Sequence, residues 1–212
     1  MKYRPLVLLS TIYIALAFSY SILGFFNGLP HGNGSEYTIS FLIPELSGHV
    51  LFAALAVLPF MDWQLIILSS VVAVFIDTDH LLGIFTSLPF IGRPDHSILF
   101  ILVSTAVLVY AAGRMNLSVS SQIKIAFVVP IAILSHLSFD VLAAYDIFGG
   151  GSFTFPLFYP FIASLVSFPL YSFVLLEASG ISLAVVGRIV VNKYGKGIRG
   201  KRTSFSKPEA SI

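Results

Sequence analysis

Seven side chains of this sequence have types suited to one shared piece of chemistry: His49, Asp77, Asp79, His80, His96, His136 and Asp140. Imidazole and carboxylate, with no cysteine anywhere in the chain, form a donor set for Zn²⁺ first, and also for Mn²⁺ or Fe²⁺. His136 and Asp140 stand four residues apart, and Asp77 and His80 three apart; either spacing puts a pair on one helix face. Asp79 points elsewhere while the helix persists. It joins the site where the helix frays, or orients a ligand histidine from behind. A catalytic zinc keeps three protein ligands and a water. Seven candidates therefore exceed one ion and suffice for two, an arrangement that activates water and steadies the leaving oxygen of a phosphoester. Two other readings stay open: a proton relay of acids and histidines, and interfacial groups that simply reach water. Any one of these residues taken singly, such as His96 in a loop or His49 at a helix start, is unremarkable.

The surroundings make the set unusual. Of the 212 residues, 57% are hydrophobic and 10% charged, with a mean hydropathy of +0.93. Soluble domains carry about 25% charged residues, and disorder requires low hydrophobicity with high net charge. Both classes are excluded. Continuous apolar runs exclude the alternating pattern of a membrane barrel. The expectation is an all-α, polytopic membrane helix bundle. In that setting a central Asp costs about 2.5–3.5 kcal/mol on insertion, so each acid and histidine asks for a reason.

About 20 apolar residues are needed per span. Six segments meet or approach that length: 5–26, 47–61, 64–82, 97–113, 123–144 and 161–191, the last with possible kinks at Pro169 and Gly180. The second is short enough for a re-entrant helix. Ala15-Leu16-Ala17 resembles a signal-peptide cleavage site, but the apolar run continues to Phe26, which favours a span. Positive charge marks the cytoplasmic side. With both termini inside, eleven of the 12 Lys and Arg lie inside and only Arg93 outside. The basic tail 193–212, rich in Gly and Ser, reads as a disordered cytoplasmic anchor that follows a transmembrane domain, 1–192. It has neither the interleaved aromatics nor the platform of a nucleic-acid binder.

On this topology all seven candidates fall at the outer end of the spans. Charge and hydropathy placed the spans without reference to them, so their convergence is independent support for one shared site. His31 in Pro30-His31-Gly32 reads as a turn, and Glu177 as a residue in the inner half of span six that pairs with a neighbour.

Four segments, in order, resemble a known family. Phe75-Ile76-Asp77-Thr78-Asp79-His80-Leu81 resembles the D-x-D-H segment of the YdjM-type (DUF457-like) membrane-bound metal-dependent hydrolases. Ser47-Gly48-His49 is similar to the opening of that family's earlier helix. Asp95-His96-Ser97, with Arg93 nearby, resembles its H-S pair, and Ser135-His136-Leu137-Ser138-Phe139-Asp140 its S-H-x-x-x-D helix. The Pro156-to-Phe161 run resembles the aromatic-proline segment that follows. The likeness covers residues 47–161. It departs from the family's loop, with Ile91 where a first histidine falls and Asp95 in place of a threonine.

The resemblance implies a helical membrane fold and a metal site more firmly than a reaction. The expected ligands are His49, Asp77, His80, His96, His136 and Asp140, holding one or two divalent ions. Asp79 or Asp95 is the expected base or orienting residue, and Arg93 the expected phosphate partner. Together these describe a hydrolase (similar to zinc-dependent phospholipase C) in the plasma membrane. Its site faces the extracytoplasmic side, and its substrate is a lipid or phosphoester. The competing class is a non-catalytic subunit of a larger membrane complex, with a structural metal.

Overall fold

The computed structural model describes residues 3–26, 39–78, 93–148, 152–162 and 164–195. Among these are six α-helices: α1 (Tyr3–Phe26), α2 (Ile39–Val57), α3 (Trp63–Phe75), α4 (Ile98–Arg114), α5 (Val119–Phe148) and α6 (Ser172–Tyr194). Four are long and apolar enough to cross a membrane, over Tyr3–Leu23, Leu42–Phe60, Val119–Ala144 and Ser172–Tyr194. At 1.5 Å per residue, the 13 residues of α3 and the 17 of α4 reach roughly 20 and 26 Å, short of a hydrocarbon core of about 30 Å. The mostly helical, membrane-compatible class expected from composition is thus present.

Several expected boundaries move. The second helix begins at Ile39, eight residues before the expected start at 47, and passes through Pro44. It is therefore long enough to span, and the re-entrant reading has no basis in its length. The sixth begins only at Ser172. The apolar stretch before it is not helix: β1 (Ser152–Phe155) pairs antiparallel with β2 (Val166–Pro169), Phe155 opposite Val166. Hydropathy is blind to this distinction, because a short apolar run satisfies strand and helix alike. The bundle is consequently not purely α. The last helix runs to Tyr194, inside the stretch expected to be tail; residues 196–212, and His31, lie outside the described residues.

Local chemistry explains the tight corners. Leu58–Phe60 forms one 3-10 turn, Met61 takes a left-handed conformation, and Asp62 caps α3 by accepting from the Gln64 N–H at 3.2 Å. Ser97 caps α4 by accepting from the Phe100 N–H at 3.2 Å. Asn116, with φ of 55°, breaks the chain after α4 in the left-handed region that asparagine tolerates.

The helix α5 is the axis of the fold. Of its most apolar window, 67% is buried, against 28%, 22% and 17% for α1, α2 and α6. The outer three expose apolar faces, including Leu51, Leu55, Leu175 and Ile189, as helices in lipid do. Serine hydroxyls tie helices together where water cannot compete: Ser69 donates to the Ala53 carbonyl, Ser138 to the Phe173 carbonyl and Ser135 to Glu177.

The two ends differ. At one, Tyr3 packs on Trp63, Lys124 bonds Asp62 at 2.8 Å and Arg188 donates to the Pro59 carbonyl. The start of α1 and the end of α6 share that end. The opposite end carries the strand pair and, among the described residues, His49, Asp77, Arg93, Asp95, His96, His136 and Asp140.

A buried histidine and aspartate centre

At that second end four segments converge: α2 brings His49, the turn after α3 brings Asp77, the 3-10 turn Pro94–His96 brings His96, and α5 brings His136 and Asp140. One ligand atom each from His49, Asp77, His136 and Asp140 lies within 4.8 Å of every other, a group able to hold a metal ion. His96 joins them, its Nε2 3.0 Å from His136 Nε2, 3.4 Å from Asp77 Oδ1 and 3.5 Å from Asp140 Oδ2. His136 Nε2 stands 3.5 Å from Asp77 Oδ1 and 3.4 Å from Asp140 Oδ2. His49 Nε2 is 3.4 Å from both Asp77 Oδ2 and Asp140 Oδ1.

His96 and His136 stand within hydrogen-bonding distance of each other, whereas the 3.4–3.5 Å separations exceed an N–H···O hydrogen bond, about 2.7–3.2 Å. The longer set matches the edges of a coordination polyhedron, since donors about 2.0–2.2 Å from a tetrahedral ion stand roughly 3.3–3.6 Å apart. All five residues are buried, His49, His96 and His136 completely. Carboxylates in such a place need compensating positive charge.

Each donor is oriented by something behind it. His136 Nδ1 donates to the Ala73 carbonyl at 2.7 Å. A carbonyl only accepts, so Nδ1 carries a proton and Nε2 is the nitrogen turned to the centre, the arrangement found in metal-ligating histidines. His49 stacks on His136, ring centroids 3.9 Å apart, with Phe139 edge-on against it at 4.8 Å. Gly48 makes this approach possible, because a Cβ there would sit 2.0 Å from Phe139 Cζ. His96 stacks on Phe155 of β1 at 5.4 Å, and the Ile98 N–H donates to the Leu157 carbonyl at 2.9 Å. The strand pair thus walls the centre.

The other candidates take different places. Arg93, in a left-handed conformation with φ of 52°, sets Nη1 2.5 Å from Asp140 Oδ2 and lies over the Phe153 ring at 4.6 Å. Asp95 is buried and accepts from Ser21 Oγ of α1 at 2.6 Å, so its carboxylate ties the His96 turn to α1. Asp79 and His80 lie outside the described residues. Glu177, read from sequence as an inner-half residue, stands beside Ser135 at the level of His136, and accepts from that hydroxyl at 2.8 Å. It does pair with a neighbour, as expected. Sequence reasoning passed over Gly48, Phe139, Phe155 and Ser21. A glycine next to a candidate ligand in an apolar helix is a usable signal of close approach; the other three carry none.

Fold and centre define a helical, membrane-compatible protein with a buried histidine and aspartate group fit to hold a divalent ion. Comparison with protein-family models, curated proteins and solved structures finds no match.

Proposed function

We propose that this chain is a membrane-embedded metal-dependent hydrolase acting on a phosphoester or lipid-type substrate. The observation that carries it is the meeting of three imidazoles and two carboxylates, from four separate segments, at separations of 3.0–3.5 Å. When bound, a divalent ion, zinc by preference, supplies Lewis acidity and lowers the pKa of water at the site. The chain's own residues do the rest. His49, Asp77, His96, His136 and Asp140 hold the ion, joined by His80 in the proposed ligand set. Arg93 brings a forked cation beside them, suited to a phosphate. Asp95 positions the His96 turn, and Asp79 is the proposed base. The likeness to YdjM-type hydrolases points the same way.

The bias of basic residues toward α1's start and α6's end supports a site on the extracytoplasmic side of the plasma membrane. A site at the outer interface lies near lipid headgroups. Phe158, Phe161 and Ile162, exposed beside the strand pair, supply apolar surface next to it.

The test is metal analysis of the purified protein with a panel of phosphoester and phospholipid substrates. Divalent metal and hydrolysis are expected in the wild type and neither in His136→Ala; full zinc occupancy in that variant contradicts the ligand set. A second reading keeps the ion without the reaction: a structural metal in a subunit of a larger membrane complex. Complete burial of the three histidines favours it. Retention of a partner in mild detergent, with no hydrolysis of any substrate, selects that reading.

A further inference from the structure

The inference rests on the proposed metal centre and specifies its nuclearity. We infer that the centre holds two divalent cations bridged by both aspartates, one closed by protein ligands and one open to an anionic substrate.

The distances divide into two donor sets. His96 Nε2 and His136 Nε2 face Asp77 Oδ1 and Asp140 Oδ2, with separations of 3.0, 3.4, 3.5, 3.5 and 3.4 Å. Those are five of the six edges of one tetrahedron. His49 Nε2 faces the other oxygen of each carboxylate, Asp77 Oδ2 and Asp140 Oδ1, both at 3.4 Å. Each aspartate therefore turns one oxygen to each set, as a bridging carboxylate does. A single ion held by His49, Asp77, His136 and Asp140 leaves His96 and one oxygen of each carboxylate unused. A single ion placed in the first set leaves the buried His49 ring with neither nitrogen hydrogen-bonded among the described residues.

The sets differ in completeness. Among the described residues the first has four protein donors, the number that closes a structural zinc site, and the second has three, the number that leaves a position for a further ligand, water or substrate. Electrostatics favours an anion there. Counted alone, Asp77, Asp140 and Arg93 carry one net negative charge with neutral imidazoles. One divalent ion turns that to +1, and two turn it to +3. Arg93 bonds Asp140 Oδ2, a member of the closed set, and a carboxylate oxygen has a second lone pair for an ion. The ligand class is a phosphate mono- or diester, or the inorganic phosphate released from it.

Mn²⁺ alone is the probe, titrated into the chelator-stripped full chain in detergent and read by metal content and electron paramagnetic resonance. Two Mn²⁺ per chain with an exchange-coupled spectrum are expected, and adding inorganic phosphate should change that spectrum. His49→Ala, with an unchanged elution volume, should bind one Mn²⁺ with an uncoupled spectrum. One Mn²⁺ in the wild type overturns the two-ion centre and leaves the single-ion hydrolase standing; none overturns both. Two uncoupled ions overturn the bridging. A His49→Ala protein that keeps two ions, or loses both, overturns the division of donors. Should the variant not fold, the wild-type stoichiometry and coupling decide the matter.

Discussion

Replacing Gly48 by alanine tests whether the approach of α2 to α5 builds the centre. The added Cβ would lie 2.0, 2.2 and 2.6 Å from three ring atoms of Phe139. Carbon atoms in contact prefer about 3.5–4.0 Å, so ring and helix must part by roughly 1.5 Å, or the ring must swing away. Both routes disturb His49, which neighbours Gly48 in sequence and packs against Phe139 at 4.8 Å. Metal sites tolerate donor displacements of only about 0.2 Å. Altering a group that orients a ligand typically lowers metal affinity by about 10–100-fold, which is roughly 1.4–2.7 kcal/mol. Overpacking adds a stability loss of about 1–3 kcal/mol. The assay is competition titration of zinc against a chromophoric chelator, with thermal denaturation followed in parallel. Removing the ring in Gly48→Ala/Phe139→Ala should recover part of the affinity, because the clash goes with it. A Gly48→Ala protein that binds zinc within twofold of wild type would refute the argument.

Other outcomes follow from the same geometry. Ser21→Ala leaves Asp95 Oδ2 without its 2.6 Å donor in a buried setting and should lower stability by about 1–3 kcal/mol, read as a fall in melting temperature. Arg93→Lys should weaken inhibition by inorganic phosphate at least tenfold while metal content stays, since lysine cannot reproduce the fork; unchanged inhibition dissociates Arg93 from substrate. Lys124→Met removes an ion pair whose partners keep 23% and 22% of their side-chain exposure, so its stability cost should stay below about 1 kcal/mol and zinc binding should not change. With no native cysteine, single-cysteine labelling reads sidedness directly. Phe161→Cys should react with an impermeant maleimide added outside intact cells and Tyr194→Cys should not; the reverse pattern inverts the topology.

Much was legible in the sequence because it is local. Hydropathy summed over a helix length, the crowding of basic residues after residue 187 and the four-residue spacing of His136 and Asp140 depend on nothing distant. They define the membrane-compatible helical class, against which His49, Asp77, Asp79, His80, His96, His136 and Asp140 stand out by residue type, Asp79 and His80 lying outside the described residues. Register between elements is not local. His49 meets His136 because glycine precedes it and Phe139 fills the space that results. His96 turns inward because a 3-10 turn, the Ser21 hydroxyl and the Phe155 ring hold it there. Residues 152–155 and 166–169 pair as strands, although their apolar run equally suits a helix, because each supplies the other's backbone hydrogen bonds. Hydropathy and spacing could nominate the donors. Only side chains packed across α2, α3, α5 and the strand pair decide which oxygen faces which nitrogen, since a few tenths of an ångström separate a coordination sphere from a cluster of buried polar groups.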